Sequence, residues 1–439
     1  MQTVIGHFRM TEQTQQTDTN DNKNMKAKIY RGTKEIGGTC VELTADNGKI
    51  LWVDLGAPLD DKNPNIDYAN NKLDALLISH PHQDHFGLME KVGTAVPIYI
   101  GEVAFDFINA TKIFIDLPLL KGNYKTIKPW QTFTIADTFK IQSFLTDHST
   151  PESFSFIIEA DGKRVFYSGD FRTTGRKKIV FDKIVQNPPK NIDLLLIEGT
   201  MVERENHIYL TEESVEEGIC NVIKNQQNVS FVISSAQNID RLISIIRACK
   251  KAGKKVVIDV YTAWLLEMLH KQSSNVPTME WEEVKVFDHP SQMEKISDKS
   301  FDEFRARIIA NKIGSAVFTN PSNFIYFVRN PSIKLVNELR KHGKINIIYS
   351  QWEGYLKDEY KQYFTDNINA LKKDSDIIYR SIHTSGHAVV PDLMKFAKAI
   401  DSNKIIPIHT AFPEIFKKEF EKNGFTNIEL WDDALEYKI

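Results

Sequence analysis

Three imidazoles and a carboxylate fall within six residues at His80-Pro81-His82-Gln83-Asp84-His85, directly after the apolar run Leu73–Ile78. The run reads as a buried strand, and the loop at its end brings four metal-capable side chains to one point. Imidazole nitrogen and carboxylate oxygen are standard zinc ligands. The uneven spacing lets neighbouring side chains face two different ions held side by side. A lone loop histidine is most often structural. Three of them with an aspartate between and Gly87 just after are much harder to read that way.

One loop cannot complete a pair of metal sites, and further ligand types stand at other strand ends. Asp54 follows Ile50–Val53, His148 follows Phe144–Asp147, Asp170 follows Phe166–Gly169, and His409 follows Ile405–Ile408. An aspartate after a strand is commonly just a turn residue, and Asp54 alone would carry little. Four apolar runs that each end in a ligand type describe a buried sheet opening into a cleft.

At 439 residues the chain exceeds one ordinary core and is long enough for two domains. Hydrophobic residues make up 41% and charged residues 26%, which places the chain among soluble globular proteins. The net charge of −3 provides no global basic field, so any nucleic-acid contact needs a local groove. Cys40, Cys220 and Cys249 are far apart and form no CxxC pair, which argues against a disulfide framework and for a reducing cytoplasm. No apolar run nears the roughly 20 residues that span a bilayer. The N-terminus lacks a secretory pattern.

Residues 1–25, polar over most of their length, read as a disordered leader. From residue 26 short apolar runs alternate with turn residues, giving a β-rich portion to about residue 205. A βαβ rhythm follows: helix Leu210–Lys224 capped by Thr211, strand Val229–Ser234, helix Ile239–Ala252 and strand Lys255–Val260. It predicts a parallel sheet in a unit spanning 206–375, with 271–310 charged and helical in tendency. Residues 376–439 return to the first unit, which also holds 26–205.

VDLG (53–56), SHPHQDH (79–85), the histidine of LTDHS (145–149), YSGD (167–170) and PIHT (407–410) resemble, in order, the successive motifs of the metallo-β-lactamase fold. Glu198 in LLIEGT, His387 in HTSGHA and His409 resemble the three extra motifs of its β-CASP nuclease branch. HTSGHA and the EIGG at 35–38 are similar to ribonuclease J. The resemblance implies an α/β fold: an αββα sandwich with an inserted β-CASP domain of parallel-sheet type. It covers nearly the whole chain after the leader.

By that resemblance His80, His82 and His148 would hold one zinc and Asp84, His85 and His409 the other, with Asp170 between them. Manganese is an alternative occupant. Asp54 would hydrogen-bond a ligand imidazole and fix its tautomer. Glu198 and His387 would pair at the cleft. Two metals ~3.5–4 Å apart clamp the attacking and leaving oxygens of an in-line displacement. His387 would then protonate the leaving oxygen.

Some residues carry two readings. His383, Ser385 and Gly386 form a donor-rich turn that suits a phosphate oxygen, or that merely positions His387. Arg241 sits at a strand-to-helix junction able to hold a phosphate; an ordinary helix start capped by Asn238 is the plainer reading. Lys250, Lys251, Lys254 and Lys255 read as a solvated helix end. Trp352 and Tyr355 fit either base stacking or core.

The expected function is a zinc-dependent nuclease acting on single-stranded RNA, with DNA as a second candidate, in the cytoplasm and without a membrane partner. A homodimer is compatible with it. The alternatives are a thioesterase or lactonase of the same fold and an inactive scaffold. Thr410 stands where ribonuclease J-like chains usually carry glycine. The sequence ends at Ile439, so the C-terminal assembly domain of ribonuclease J is not expected in it.

Overall fold

The computed structural model describes residues 25–59, 66–68, 72–204, 210–224, 227–357 and 365–439. Apart from the buried Met25, the expected leader lies outside them. So does His207.

Two mixed sheets face each other. The first runs Glu436–Lys438, Lys26–Arg31, Cys40–Thr44, Ile50–Val53, Ala75–Leu77, Ile98–Gly101 and Tyr124–Ile127, changing from antiparallel to parallel pairing at Ile50–Val53. The second runs Lys404–Ile408, Leu194–Glu198, Lys163–Tyr167, Ser153–Ala160, Phe139–Thr146 and Thr132–Ile135. Side chains alternate across a strand, so a strand covered on both faces is apolar throughout. Leu194 and Leu196 enter the core between the sheets, beside Val53, Leu77, Phe156 and Tyr167. Leu195 and Ile197 point the other way, into a core with Phe396 and Phe416 of the helices Val390–Ile400 and Pro413–Lys422. The outer face of the first sheet packs Trp52, Leu76 and Ile100 against the helix Glu102–Phe114. The result is a helix–sheet–sheet–helix sandwich.

The third sheet is wholly parallel: Val284–Phe287, Lys255–Asp259, Phe324–Val328, Val229–Ile233, Ile345–Tyr349 and Ile377–Ser381. Helices cover both faces. Glu212–Ile223, Ile239–Lys251 and Val260–His270 pack on one side, and Ile333–Arg340 and Thr365–Lys373 on the other. Thr211 caps Glu212–Ile223, its hydroxyl accepting the Ser214 N–H at 3.1 Å.

Two details differ from the sequence reading. Val284–Phe287 is a strand inside the stretch read as helical, because backbone pairing with Lys255–Asp259 outweighs the charged surroundings. Ile377–Ser381 pairs with Ile345–Tyr349 as an edge of the third sheet, as the run at 376–379 suggests, and only the expected boundary at 375 differs, because that sheet continues past it. Among the described residues no helix is long and apolar enough to cross a membrane.

Candidate metal centre

Strands of both facing sheets end at one rim, and the residues that follow them converge. Asp54 and His409 take positive φ, 59° and 49°. A side chain held there costs an ordinary residue roughly 1–3 kcal/mol, a cost met by surrounding structure and common at functional sites. Gly169, at φ 54°, makes the matching turn before Asp170. Gly56 is needed for a different reason: a Cβ there would stand 1.7 Å from the Asp84 carbonyl oxygen. Its absence lets the His80–His85 loop close over the strand end.

Within the cluster, His82 Nδ1 lies 3.2 Å from His80 Nε2 and 3.0 Å from His148 Nε2. Asp170 Oδ2 lies 3.2 Å from His85 Nε2, 3.7 Å from His80 Nε2 and 3.8 Å from His148 Nε2. His409 Nε2 meets Asp84 Oδ2 at 3.2 Å. Among the described residues four overlapping ligand groups form: His80/His82/His148, Asp84/His85/His409, His80/His85/Asp170 and Asp170/Glu198/His387/His409.

The outer ring nitrogens settle the tautomers. His148 Nδ1 donates to the Gly386 carbonyl at 2.5 Å, and a carbonyl only accepts. The Ser79 hydroxyl donates to Asp54 Oδ2, so at 2.9 Å it accepts from His80 Nδ1. His85 Nδ1 donates to Asp54 at 2.8 Å, and His409 Nδ1 meets the Thr200 hydroxyl at 2.9 Å. Asp54 is further held by the Ser79 N–H at 2.7 Å and the Tyr167 hydroxyl at 2.6 Å. Each fixed outer proton turns the inner nitrogen's lone pair toward the centre.

The electrostatics agree for the first group of rings but not for His85, where burial would lower the imidazole and Asp170 and Asp54 more than offset that and raise it. Burial holds His80 and His148 well below the ordinary imidazole value and brings His82 down to about 4, so these rings stay neutral. Burial would raise Asp84 and Asp170, but the histidines beside them hold both carboxyls low. His85 Nε2 and Asp170 Oδ1 are buried without a hydrogen-bond partner. Lone pairs converging at 3.0–3.2 Å beside an unpartnered carboxylate oxygen fit divalent cations.

Glu198 and His387 stand beside this cluster. Glu198 Oε1 accepts the Ala388 N–H at 3.2 Å, and Oε2 accepts the Thr200 N–H at 3.1 Å. His387 Nδ1 is 3.4 Å from Glu198 Oε2 and 3.7 Å from Asp170 Oδ2. Burial would lower the imidazole, but the two carboxylates more than offset that and raise it.

Among the remaining candidates His383, Ser385 and Gly386 line the cleft and also make contacts inside the protein, whereas Arg241 is enclosed. Ser385 Oγ accepts the His387 N–H at 3.0 Å, and the Gly386 carbonyl is taken by His148. His383 Nδ1 faces Arg241 at 3.1 Å. The turn thus positions His148 and His387. Arg241 is fully buried, and its guanidinium bonds Glu212, Ser350 and Thr384. It offers no phosphate site, which corrects that reading, and its N–H is capped by Asn238 at 3.0 Å. Lys250 and Lys251 pair with Glu283 and Glu216. Thr410 is buried, its hydroxyl accepting the Phe412 N–H at 3.2 Å while its Cβ fills the space beside Gly199. Sequence reasoning missed Ser79, Tyr167, Arg172 and Thr200. Ser79, Tyr167 and Thr200 stand inside SHPHQDH, YSGD and LLIEGT, which was the available signal, whereas Arg172 meets the site only through the fold.

The cluster opens into a cleft of about 610 Å³ between the sandwich and the third-sheet unit, lined at its outer wall by Arg31, Lys34, Arg204, Arg329, Trp352 and Tyr355.

Residues 53–258 match the beta-lactamase superfamily domain. The chain is 22% identical over 427 residues to the ribonuclease J of Mycoplasma genitalium, covering 89% of this chain and 68% of that protein. It is 25% identical over 256 residues to an RNase J-like protein of Methanocaldococcus jannaschii, covering 54% of this chain and 57% of the relative, less than two thirds of its length. A crystal structure of a protein of unknown function from Enterococcus faecalis superposes with a TM-score of 0.71 at 17% identity, over 95% of this chain and 100% of that one. The facing sheets, the parallel third sheet and these matches agree: the chain has the metallo-β-lactamase fold with an inserted parallel-sheet unit and resembles ribonuclease J-like β-CASP proteins along most of its length.

Proposed function

We propose that this protein is a zinc-dependent nuclease that hydrolyses phosphodiester bonds of single-stranded RNA. The observation that carries the reading is the His387–Glu198 pair set 3.4 Å apart at the edge of the ligand cluster, with His387 facing the cleft. His80, His82 and His148 would hold one zinc, and Asp84, His85 and His409 the second, with Asp170 between. When bound, such a pair supplies Lewis-acid stabilisation of phosphoryl charge and a water activated near neutral pH.

The chain's own residues do the rest. Asp54, Thr200 and the Gly386 carbonyl keep the ligand rings in their tautomers. Glu198 orients His387, which carries a proton toward the leaving oxygen. Arg204 and Arg329 on the wall favour a polyanion despite the net charge of −3; Arg31 and Lys34 pair with Glu35 and Asp432. Tyr355 lines the same wall and suits stacking on an unpaired base, while the Trp352 ring beside it carries the Arg204 guanidinium at 4.0 Å. Replacing Tyr355 with alanine is expected to raise the KM for RNA about 10-fold and leave kcat nearly unchanged, as loss of one stacking contact requires. Steady-state kinetics on a labelled oligonucleotide checks this.

On this reading the described residues from 210 to 381 form the inserted unit, and those of 26–204 and 382–439 the sandwich. The three cysteines are free and buried, which fits a reducing cytoplasm.

The test is degradation of 5′-end-labelled and 3′-end-labelled single-stranded RNA with zinc or manganese, beside a DNA strand and a panel of thioesters and lactones. RNA cleavage with no turnover of the small esters is the expected result. A preparation that holds two metals and cleaves no RNA overturns the proposal. Chelation should also lower Tm by several degrees, because a ligand that binds only the folded state stabilises it by about 4 kcal/mol at a thousandfold excess over Kd. Differential scanning calorimetry with and without EDTA measures that shift.

A further inference from the structure

A buried ionic cluster joins the inserted unit to the metal rim through two arginines. Arg172, two residues after Asp170, is fully buried. Its Nε faces Asp147 Oδ1 at 3.5 Å, and its Nη2 donates to Asp240 Oδ2 at 2.6 Å. Its Nη1 reaches Glu212 Oε1 at 3.3 Å and the Ser385 carbonyl at 3.2 Å. From the opposite side Arg241 donates to Glu212 Oε1 at 3.0 Å and Oε2 at 3.1 Å, and to the Thr384 carbonyl at 3.2 Å.

The carbonyls of Thr384 and Ser385 are therefore tied by two guanidiniums that share one carboxylate. The next residue, Gly386, holds His148 through its carbonyl, and the one after that is His387. Glu212 and Asp240 belong to two helices of the inserted unit, whereas Asp147 and Arg172 belong to the sandwich. We infer that Arg172 is a positioning residue: with Glu212 and Arg241 it fixes the 383–387 turn, and so sets His387, only when the inserted unit is seated. The inference rests on the nuclease reading for its kinetic consequence. Its structural part stands on the contacts alone.

The geometry requires a planar fork. Arg172 meets four acceptors in different directions, which a lysine ammonium at the end of a flexible stem cannot do. Arg172→Lys therefore keeps the charge and loses the positioning. Glu212→Gln removes the shared carboxylate while keeping its shape, and covers the case in which the lysine variant does not fold.

The first measurement is amide hydrogen exchange of the metal-loaded full chain. In either variant peptides covering 383–388 are expected to exchange about 10-fold faster, and those covering 139–146 unchanged. The second is a kinetic cycle with His387→Ala. Arg172→Lys is expected to lower kcat on RNA about 100-fold with KM within about twofold, the size of effect that an ångström-scale displacement produces. In the His387→Ala background the same change should cost less than about threefold, because the residue it acts through is gone. Unchanged exchange at 383–388, or equal loss in both backgrounds, overturns the inference. A two-metal wild type that cleaves no RNA overturns the nuclease reading instead, and the exchange result then decides the clamp by itself.

Discussion

Changing His387 to alanine is expected to lower turnover of RNA by about 10²–10⁴-fold while the protein still takes up two metal ions. His387 Nδ1 lies 3.7 Å from Asp170 and 3.4 Å from Glu198, yet the ring is partly open to the cleft, unlike the buried rings of His80, His85 and His148. The groups His80/His82/His148 and Asp84/His85/His409 do not include it, while a third, Asp170/Glu198/His387/His409, does, so metal content is measured alongside turnover. Its loss removes a proton carrier and leaves the first two groups assembled. A substrate with an activated leaving group, which needs no proton, should suffer far less than RNA. Single-turnover kinetics on both substrates, with metal content measured by mass spectrometry, gives the answer. Loss of metal in the variant would make His387 a ligand and remove the assigned role.

Asp170→Asn is expected to reduce RNA cleavage to the background rate and bound metal to below one ion per chain. Asp170 Oδ2 is within 3.8 Å of inner nitrogens from three histidines, and Oδ1 is 3.9 Å from His409 Nδ1. It is the carboxylate shared by both halves of the cluster. A neutral amide would remove the central negative charge and place donor hydrogens among converging lone pairs. The fold should persist, because Asp170 packs at the rim rather than in the cores that hold the sheets together. Circular dichroism, metal analysis and the labelled-RNA assay on one preparation separate the two effects. A variant that keeps both ions would show that Asp170 does not join them.

Part of the site was legible because its information is local. An apolar run followed by a ligand type can be read without knowing where the strand goes. Asp54, His148, Asp170 and His409 were found that way, and the structure brings all four to one rim. The third sheet was legible for a similar reason, since alternating apolar runs and capped helices leave few arrangements other than parallel pairing.

Arg241 shows where such reading fails. An arginine in the first turn of a helix looks the same in sequence whether it faces solvent or an acid 29 positions away. Here Glu212 and the 384 carbonyl bury it completely. Val284–Phe287 failed likewise, since four residues in a charged stretch become a strand only when an edge is waiting for them.

The sequence by itself determined the chemistry of the cluster: which side chains can bind metal, and that they stand at the ends of buried strands. Tertiary structure alone decided which nitrogen of each ring faces inward, that the 383–387 turn holds His148 and His387, and that Arg172 and Arg241 are buried ties. Ligand identity is a property of residue type, and strand ends follow from nearby hydrophobic pattern. Tautomers and buried ion pairs depend on partners up to 325 positions away, which only the packing of three sheets brings within hydrogen-bond reach.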